Sequence, residues 1–358
     1  MIRKLFICST QYQLFNCINI SLDSNNEKKD LLIIVLNSTI LKDICFESLN
    51  RIFDNIYFWD VYKKTRSSVL KARFILKNLL FCSVKGINFN NVYNDVFISG
   101  TEIYSKIIAM KLFKSGADIH YFEDGLESYD SILDEKHKYK QDTFFKIIYQ
   151  KRALDACSDL YVYRPDLVIN NSYKIPIKHI KIANYKEQNL DLTTIFSEKC
   201  QPFTKKIIFL TTWFQDYRMY GEQIEYIKWI ATKFPKNYCL KLHPSDSKSD
   251  RLKEYIVENC GNFEIANALF DMSRSIFISI ISTACLTPNL IFGRTTTCIF
   301  LYKIFMKKFI MPEWNETENV IKKLLKDSPD LHIYIPESMD DLASILEHLL
   351  GNNMQKKD

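Results

Sequence analysis

Leu5-Phe6-Ile7-Cys8-Ser9-Thr10-Gln11-Tyr12-Gln13-Leu14 runs from an unbroken apolar segment, through a Ser-Thr pair, into a stretch with helical spacing. Residues 4–8 read as a buried strand and residues 11–22 as a helix, with Ser9 and Thr10 at the turn between them. A basic start followed by an apolar run is also how a signal peptide begins. Here the run stops at Cys8, and Gln11, Gln13, Asn16 and Asn19 follow with no small-residue cleavage site, so a first β-strand is the better account.

The same strand-then-helix unit repeats outward from this point. Residues 31–36 and 56–59 read as strands, 65–81 as a long basic amphipathic helix, 95–99 as a strand, 102–113 as a helix and 118–122 as a strand. The rhythm pauses between residues 173 and 202, where Pro176, Asn184, Asn189 and Pro202 fall, and then restarts. Strands are expected over 206–210, 238–242, 275–279 and 297–301, and helices over 222–232, 249–258 and 283–291. A closing helix over 341–350 places Leu342, Ile345, Leu346 and Leu349 on one face. Alternation of this kind gives an α/β fold with mostly parallel sheets covered by helices. Two such halves joined by an irregular segment match the GT-B layout of many glycosyltransferases, two Rossmann-like domains with a cleft between them. The expected limits are residues 1–190 and 203–335, then a closing helix within 336–351 and a flexible tail over 352–358. Ligands in such folds bind outside the carboxyl ends of the strands.

Composition narrows the function classes. The 358 residues are 47% hydrophobic and 25% charged, which suits a globular chain and leaves no room for extensive disorder. A net charge of +6 fits an enzyme of anionic substrates and is too small for a nucleic-acid-binding footprint, so no nucleic-acid partner is expected. The ten cysteines form no C-x-x-C pair, and Cys8, Cys239 and Cys298 sit in apolar runs, as free thiols of a reducing compartment do. The six histidines show no metal-binding spacing, and no stretch approaches the ~18 apolar residues of a membrane span. With eight glycines and neither G-x-G-x-x-G nor a P-loop, the common nucleotide cradles are absent. A cytoplasmic protein is expected.

Chemistry is therefore sought at strand ends. His120-Tyr121-Phe122-Glu123-Asp124-Gly125 places two carboxylates after a strand, with a glycine free to turn sharply. Adjacent carboxylates raise one another's pKa, as a general base requires; a solvated acidic turn is the plainer alternative. Leu240-Lys241-Leu242-His243-Pro244 ends a strand on a histidine that can meet a phosphate, or can simply be a structural cap. Ile278-Ser279-Ile280-Ile281-Ser282-Thr283-Ala284 passes from strand to helix, so Ser282 as N-cap would leave an anion site at the helix start. Phe209-Leu210-Thr211-Thr212-Trp213-Phe214-Gln215-Asp216 offers Thr211 and Thr212 as ligand contacts and Asp216 as a second candidate base, unless that aspartate only starts a helix. Ser9, Thr10, Gln11 and Gln13 could line the acceptor side, or merely cap the first helix.

In this order, the motifs resemble those of the bacterial sialyltransferases of glycosyltransferase family 52, which act on lipooligosaccharide and capsule. The opening residues 5–14 look like that family's start. Glu123-Asp124-Gly125 is similar to an acidic-acidic-glycine motif of several bacterial sialyltransferase families, His243-Pro244 to their His-Pro motif, and Ser282-Thr283 to their paired hydroxyls. The likeness spans residues 2 to about 300. It implies a GT-B fold with the acceptor on the amino-terminal domain and the CMP-sugar donor on the carboxyl-terminal one. It further implies CMP-sialic acid as donor, inversion at the anomeric carbon, and a glycan acceptor with terminal galactose and an α2,3 bond. The histidine and the hydroxyl pair would hold the donor phosphate, and a homodimer is suggested. For the base, the resemblance points either to the acidic motif or, in family 52, to an aspartate before the His-Pro motif, here Asp216, with Glu222 as a substitute. CMP leaves as a phosphomonoester, so a histidine, two hydroxyls and a helix end could neutralise it without a metal or other cofactor; no D-x-D occurs in the chain. Another nucleotide sugar, CMP-Kdo or a UDP-hexose, or a non-catalytic nucleotide- or glycan-binding role, are the alternatives.

Two basic segments stand apart. Lys63, Lys64, Arg66, Lys71, Arg73 and Lys77 crowd one, and Lys303, Lys307 and Lys308 lie beside Phe305 and Phe309 in the other. Either could rest on the inner-membrane face near lipid-linked acceptors, or be a solvated helix face.

Overall fold

The computed structural model describes residues 2–23, 27–36, 41, 44–61, 68–90, 93–100, 102–130, 142–196, 201–214, 216–243, 249–252, 254, 255, 257, 258, 262–309, 314–328 and 331–351. The chain divides into two compact units, Met1–Lys199 and Cys200–Asp358.

The first unit follows the order β1 (Arg3–Cys8), α1 (Gln11–Leu22), β2 (Lys28–Val35), α2 (Phe46–Leu49), β3 (Asn55–Asp60), α3 (Ser68–Phe81), β4 (Asp95–Ser99), α4 (Ile103–Lys114), β5 (Asp118–Phe122), α5 (Asp142–Tyr149), β6 (Cys157–Val162), β7 (Ile177–His179) and α6 (Leu192–Phe196). Its sheet is ordered β3-β2-β1-β4-β5-β6-β7 with every neighbouring pair parallel. Parallel strands are covered on both faces, which is why Leu5-Phe6-Ile7 and Leu31-Leu32-Ile33-Ile34 read as solid apolar runs, and all seven side chains are buried. The chain steps from β1 out to β3 and then returns to the other side of β1 as β4. That places a topological switch point between β1 and β4.

The second unit continues with β8 (Ile207–Leu210), α7 (Tyr217–Lys233), β9 (Tyr238–Lys241), α8 (Phe263–Leu269), β10 (Ile276–Ser279), α9 (Thr287–Phe292), β11 (Thr297–Phe300), α10 (Tyr302–Met306), α11 (Trp314–Asp327), β12 (Ile333–Tyr334) and α12 (Met339–Gly351). Its parallel sheet is ordered β12-β11-β10-β8-β9, with the switch point between β8 and β10. Helix α12 belongs to this unit's packing: Leu342 and Leu346 are buried, Lys206 donates to the Leu349 carbonyl at 3.0 Å, and Lys233 pairs with Glu347 at 2.8 Å. Two parallel α/β units in series are the fold expected from the alternation of apolar runs.

Several expectations are corrected. The quiet stretch from 173 to 202 holds β7 and α6, both too short to show periodicity. The helix expected over 249–258 is a single 3-10 turn, Ser249–Leu252. Beyond it Val257 bridges Leu240 in parallel and the Glu258 amide donates to the Leu240 carbonyl at 3.0 Å, so this segment extends the sheet edge instead. The helix expected over 283–291 breaks in two: a 3-10 turn over Thr283–Leu286, then α9, which opens with Pro288 because proline has no N–H to continue an earlier ladder. In the second basic segment the charges are internally paired. Lys303 meets Glu337 at 2.7 Å, Lys308 meets Glu222 at 2.6 Å, and Phe305 is fully buried against Phe214 and Trp314. Its aromatic side is packed, while Lys307, which donates to the Glu337 carbonyl, and Lys308 stay exposed. Lys63, Lys64, Arg66 and the tail 352–358 lie outside the described residues.

The amino-terminal edge of the first sheet is tied by polar groups. Asp30 on β2 is fully buried and accepts from Arg3 of β1 at 2.7 and 2.9 Å, Asn55 of β3 at 2.9 Å, and Tyr93, which leads into β4, at 2.7 Å. Nearby on the same sheet, His120 of β5 lies between Asp95 of β4 and Asp159 of β6, 3.1 Å from each, with its ring stacked on Phe97. The His120 partner holds the Asp95 carboxyl below its ordinary value. Removing the Asp30 carboxylate strands three donors at once. Asp30→Ala is therefore expected to lower the unfolding free energy by about 3 kcal/mol, measured as the shift in urea midpoint at unchanged slope.

Candidate functional site

At the carboxyl edge of the first sheet, the switch point gathers residues from β1, β4, β5, β6 and α1. Thr10 Oγ1 accepts from the Gln13 amide at 3.1 Å, the N-cap that starts α1. Gln13 then braces three strand ends. Its Oε1 accepts from the Ser9 amide at 2.7 Å and the Ser9 hydroxyl at 3.0 Å; its Nε2 donates to Ser99 Oγ at 3.0 Å and Asp124 Oδ2 at 2.8 Å. A carboxamide has two acceptor and two donor positions, and all four are filled. Gln13, buried, has nothing left for a ligand, which corrects its expected role as an acceptor contact. Ser9 is buried beneath it, while Gln11 is half-buried and Thr10 exposed.

Glu123 and Asp124 diverge sharply although adjacent. Glu123 is 2% exposed and accepts from Tyr12 OH at 3.0 Å, the Tyr163 amide at 3.0 Å and Tyr129 OH. Burial pushes its carboxyl up to about 7 against the pull of these donors; the Asp124 charge adds only a lesser push. The neighbouring-charge argument from sequence therefore had the direction right and the leading cause wrong. Asp124 is half-buried. One of its oxygens is held by Gln13, and its amide donates to Ser128 Oγ at 2.9 Å. Gly125 makes the turn possible, with φ 95° and ψ −167°, a backbone region open almost only to glycine.

A polar stripe on α1 was missed as a functional element. Gln13, Asn16 and Asn19 recur every third residue, all buried. Asn16 donates to the Glu123 carbonyl at 2.8 Å and accepts from Tyr163 OH at 2.6 Å; Asn19 accepts from Tyr185 OH at 2.6 Å. Their spacing was visible, but served only to argue against a signal peptide. Glu102, the N-cap of α4 that accepts from the Tyr104 and Ser105 amides at 2.8 and 2.6 Å, was also missed; burial pushes it up to about 7.

In the second unit, three adjacent strands β10, β8 and β9 end at one edge. The β8 end carries Thr211 and Thr212, the β9 end His243, and the β10 end Ser279 followed by Ser282 and Thr283. The His243 amide donates to Thr211 Oγ1 at 2.7 Å, locking the β9 exit onto the β8 end. Buried Gln223 on α7 grips both sides of the Thr212 backbone, accepting from its amide at 2.7 Å and donating to its carbonyl at 3.0 Å, while Thr212 Oγ1 is buried with no hydrogen-bond partner. Ser279 Oγ accepts from the Ser282 amide at 2.6 Å. His243, Ser282 and Thr283 are half-buried. Strands β9 and β10 flank β8, so their exits lie about 10 Å apart, two strand spacings. Pro244 falls outside the described residues.

Two expectations change here. Ser282 holds the N-cap position of a 3-10 turn, yet its side chain makes no capping bond, and α9 starts only at Thr287 and is six residues long. A helix-dipole anion site at Ser282 is thus not built; what remains is two hydroxyls not used in capping. Asp216 is the N-cap of α7, accepting from the Arg218 amide at 2.7 Å and pairing with its guanidinium at 3.0 Å, and those bonds hold its carboxyl below its ordinary value. Glu222, the substitute, is committed to Lys308. Sequence reading also passed over Trp213 and Tyr217, exposed aromatics just after the β8 end, the latter under Arg251 at 5.3 Å.

No protein-family model matches the chain. No curated protein matches it in sequence. Solved structures do match in fold. The crystal structure of the glycotransferase of kitacinnamycin aligns with TM-score 0.55 and 9% identity, over 97% of this chain and 90% of that one. A structure from Listeria monocytogenes described as a UDP-N-acetylglucosamine 2-epimerase aligns with TM-score 0.52 and 12% identity, over 100% and 97%. Arabidopsis thaliana UGT89C1 aligns with TM-score 0.52 and 12% identity, over 94% and 85%. The fold is GT-B; identities this low carry the fold alone.

The raised Glu123 carboxyl has a measurable consequence. Between its ordinary 4.5 and about 7 the folded chain keeps a proton that the unfolded chain has released. This group's contribution is fully present below 4.5 and is lost as pH rises through about 7, up to ~3 kcal/mol. Glu123→Gln is expected to flatten the fall in thermal midpoint between acid and neutral pH, leaving a residual slope from Glu102. Identical slopes for variant and wild type would refute the buried-carboxyl account.

Proposed function

We propose that the protein is an inverting GT-B sialyltransferase, transferring sialic acid from CMP-sialic acid to a terminal sugar hydroxyl of a surface glycan. Galactose in α2,3 linkage on lipooligosaccharide or capsule is the expected acceptor. The observation that carries this reading is the second unit's carboxyl edge, where His243, Thr211-Thr212 and Ser282-Thr283 leave three adjacent strands around the switch point. His243 and Ser282-Thr283 also stand in the order of the His-Pro and paired-hydroxyl motifs that resemble those of family 52. His243 and the hydroxyls would hydrogen-bond the CMP phosphate as negative charge grows on it during departure. The exposed indole of Trp213 offers a flat face for the cytosine. No metal is invoked: a phosphomonoester leaving group needs less neutralisation than a diphosphate.

For the base we assign Asp124. The attacking hydroxyl forms the new bond to the anomeric carbon, the bond to the CMP phosphate oxygen breaks with its electron pair, and the carboxylate takes the hydroxyl proton. Glu123 is too buried and too fully bonded to reach an acceptor, and Asp216 is stabilised as an anion by Arg218, which weakens it as a proton acceptor. Asp124 is half-buried and oriented by Gln13.

A second reading keeps the scaffold and changes the donor to a UDP-sugar, as the name of the Listeria neighbour suggests. A donor panel separates the two. CMP is expected to raise the thermal midpoint and UDP to leave it unchanged; stabilisation by UDP alone favours the second reading, and CMP binding with neither transfer nor donor hydrolysis favours a binding protein. His243→Ala is expected to cut turnover about 10²–10³-fold with no loss of stability. Asp124→Asn is expected to lower kcat about 10²–10⁴-fold while Asp216→Asn costs less than about tenfold; the reverse order would move the base to Asp216.

A further inference from the structure

We infer that α3, with α5 beside it, is a docking surface for an anionic lipid bilayer. The inner face of α3 is spent on the fold: Asn78 and Leu79 are buried, and Phe74 packs against Trp59 and Tyr104 at 5.9 and 6.1 Å. The outer face is unusual. Arg73, Leu76, Lys77 and Leu80 recur at i, i+3, i+4 and i+7, one stripe of the helix, and Phe81 follows on the same side. Leu76 is 49% exposed, Leu80 59% and Phe81 73%. Helix α5 packs alongside, its Tyr149 OH donating to the Leu79 carbonyl at 2.9 Å, and it shows Ile147, 72% exposed, next to exposed Lys146.

Charge selects the occupant. No Asp or Glu occurs between Asp60 and Asp95, and among the described residues Lys71, Arg73 and Lys77 meet no carboxylate. A second copy of the chain is disfavoured, because a two-fold contact would set the cations of one α3 against those of the other. A bilayer with anionic headgroups satisfies both features at once. Leucine and phenylalanine tips enter the headgroup–acyl boundary while the Lys and Arg stems run along the apolar surface and place their charges at the phosphates. No helix among the described residues is long and apolar enough to cross a membrane, so this is contact in the plane of the interface.

Flotation of the full-length protein with vesicles tests this without donor or acceptor, so its outcome is separate from that of the transferase proposal. Vesicles of equal phosphatidylglycerol and phosphatidylcholine should carry the protein up the gradient, pure phosphatidylcholine should not, and high salt should release it. Each cation contributes about fivefold in partitioning, so Arg73→Gln/Lys77→Gln should lose about 25-fold. Leu80→Ser/Phe81→Ser should also lose binding, with circular dichroism and thermal midpoint unchanged because these side chains are exposed. The proposal is overturned if wild type ignores anionic vesicles or binds neutral ones equally, or if both variants bind like wild type. It is equally overturned if light scattering shows a dimer that the Leu80/Phe81 variant dissolves, or if the same variants abolish retention by an oligonucleotide or an acidic protein instead.

Discussion

Parallel strands joined by helices impose one constraint from which the rest follows: every strand-to-helix loop leaves at the same edge of its sheet. Residues more than a hundred positions apart in sequence, such as Gln13 and Asp124, are thereby brought into hydrogen-bond contact. Where the strand order reverses, beside β1 in one unit and β8 in the other, neighbouring loops diverge and leave room for a ligand. The two edges of the first sheet are accordingly unlike. The amino edge is closed by the Arg3–Asp30 ion pair and by the hydrogen bonds of His120 with Asp95 and Asp159, while the carboxyl edge carries carboxylates, hydroxyls and carboxamides held by one another.

Three carboxyl groups show how environment assigns chemistry to one functional group. Glu123 is buried, fully bonded and pushed up to about 7. Asp216 is a half-buried cap stabilised as an anion by Arg218. Asp124, also half-buried, has one oxygen fixed by Gln13 and a position set by the Gly125 turn. Neighbours in sequence thus hold different roles because the sheet's bonding stops between them: β5 ends at Phe122, the Glu123 amide still donates to the Tyr161 carbonyl of β6, and Asp124 turns away to meet Ser128 and Gln13.

Much of the fold was legible because buried parallel strands leave apolar runs that no loop mimics; α1, β4 and β5 fall at the residues the pattern indicates. What escaped did so for physical reasons. Strands β7 and β12, of three and two residues, take their pairing from neighbours and carry no period of their own. Residues 249–258 have helical composition, yet backbone pairing beside Leu240 wins over local propensity. At the site, strand-end position located His243, Glu123 and Ser282 but could not separate ligand contacts from braces. Gln13 looks in sequence like any residue lining a pocket, and only its four filled hydrogen-bond positions reveal it as a support.

The account stands or falls on where a nucleotide monophosphate sits. A crystal structure of the full chain with CMP tests it most directly. The account predicts the phosphate at the carboxyl edge of β8, β9 and β10, within hydrogen-bond distance of His243 and the Ser282 or Thr283 hydroxyl, with the base against Trp213. A phosphate bound on any other face of the second unit, with His243 and those hydroxyls untouched, would contradict it.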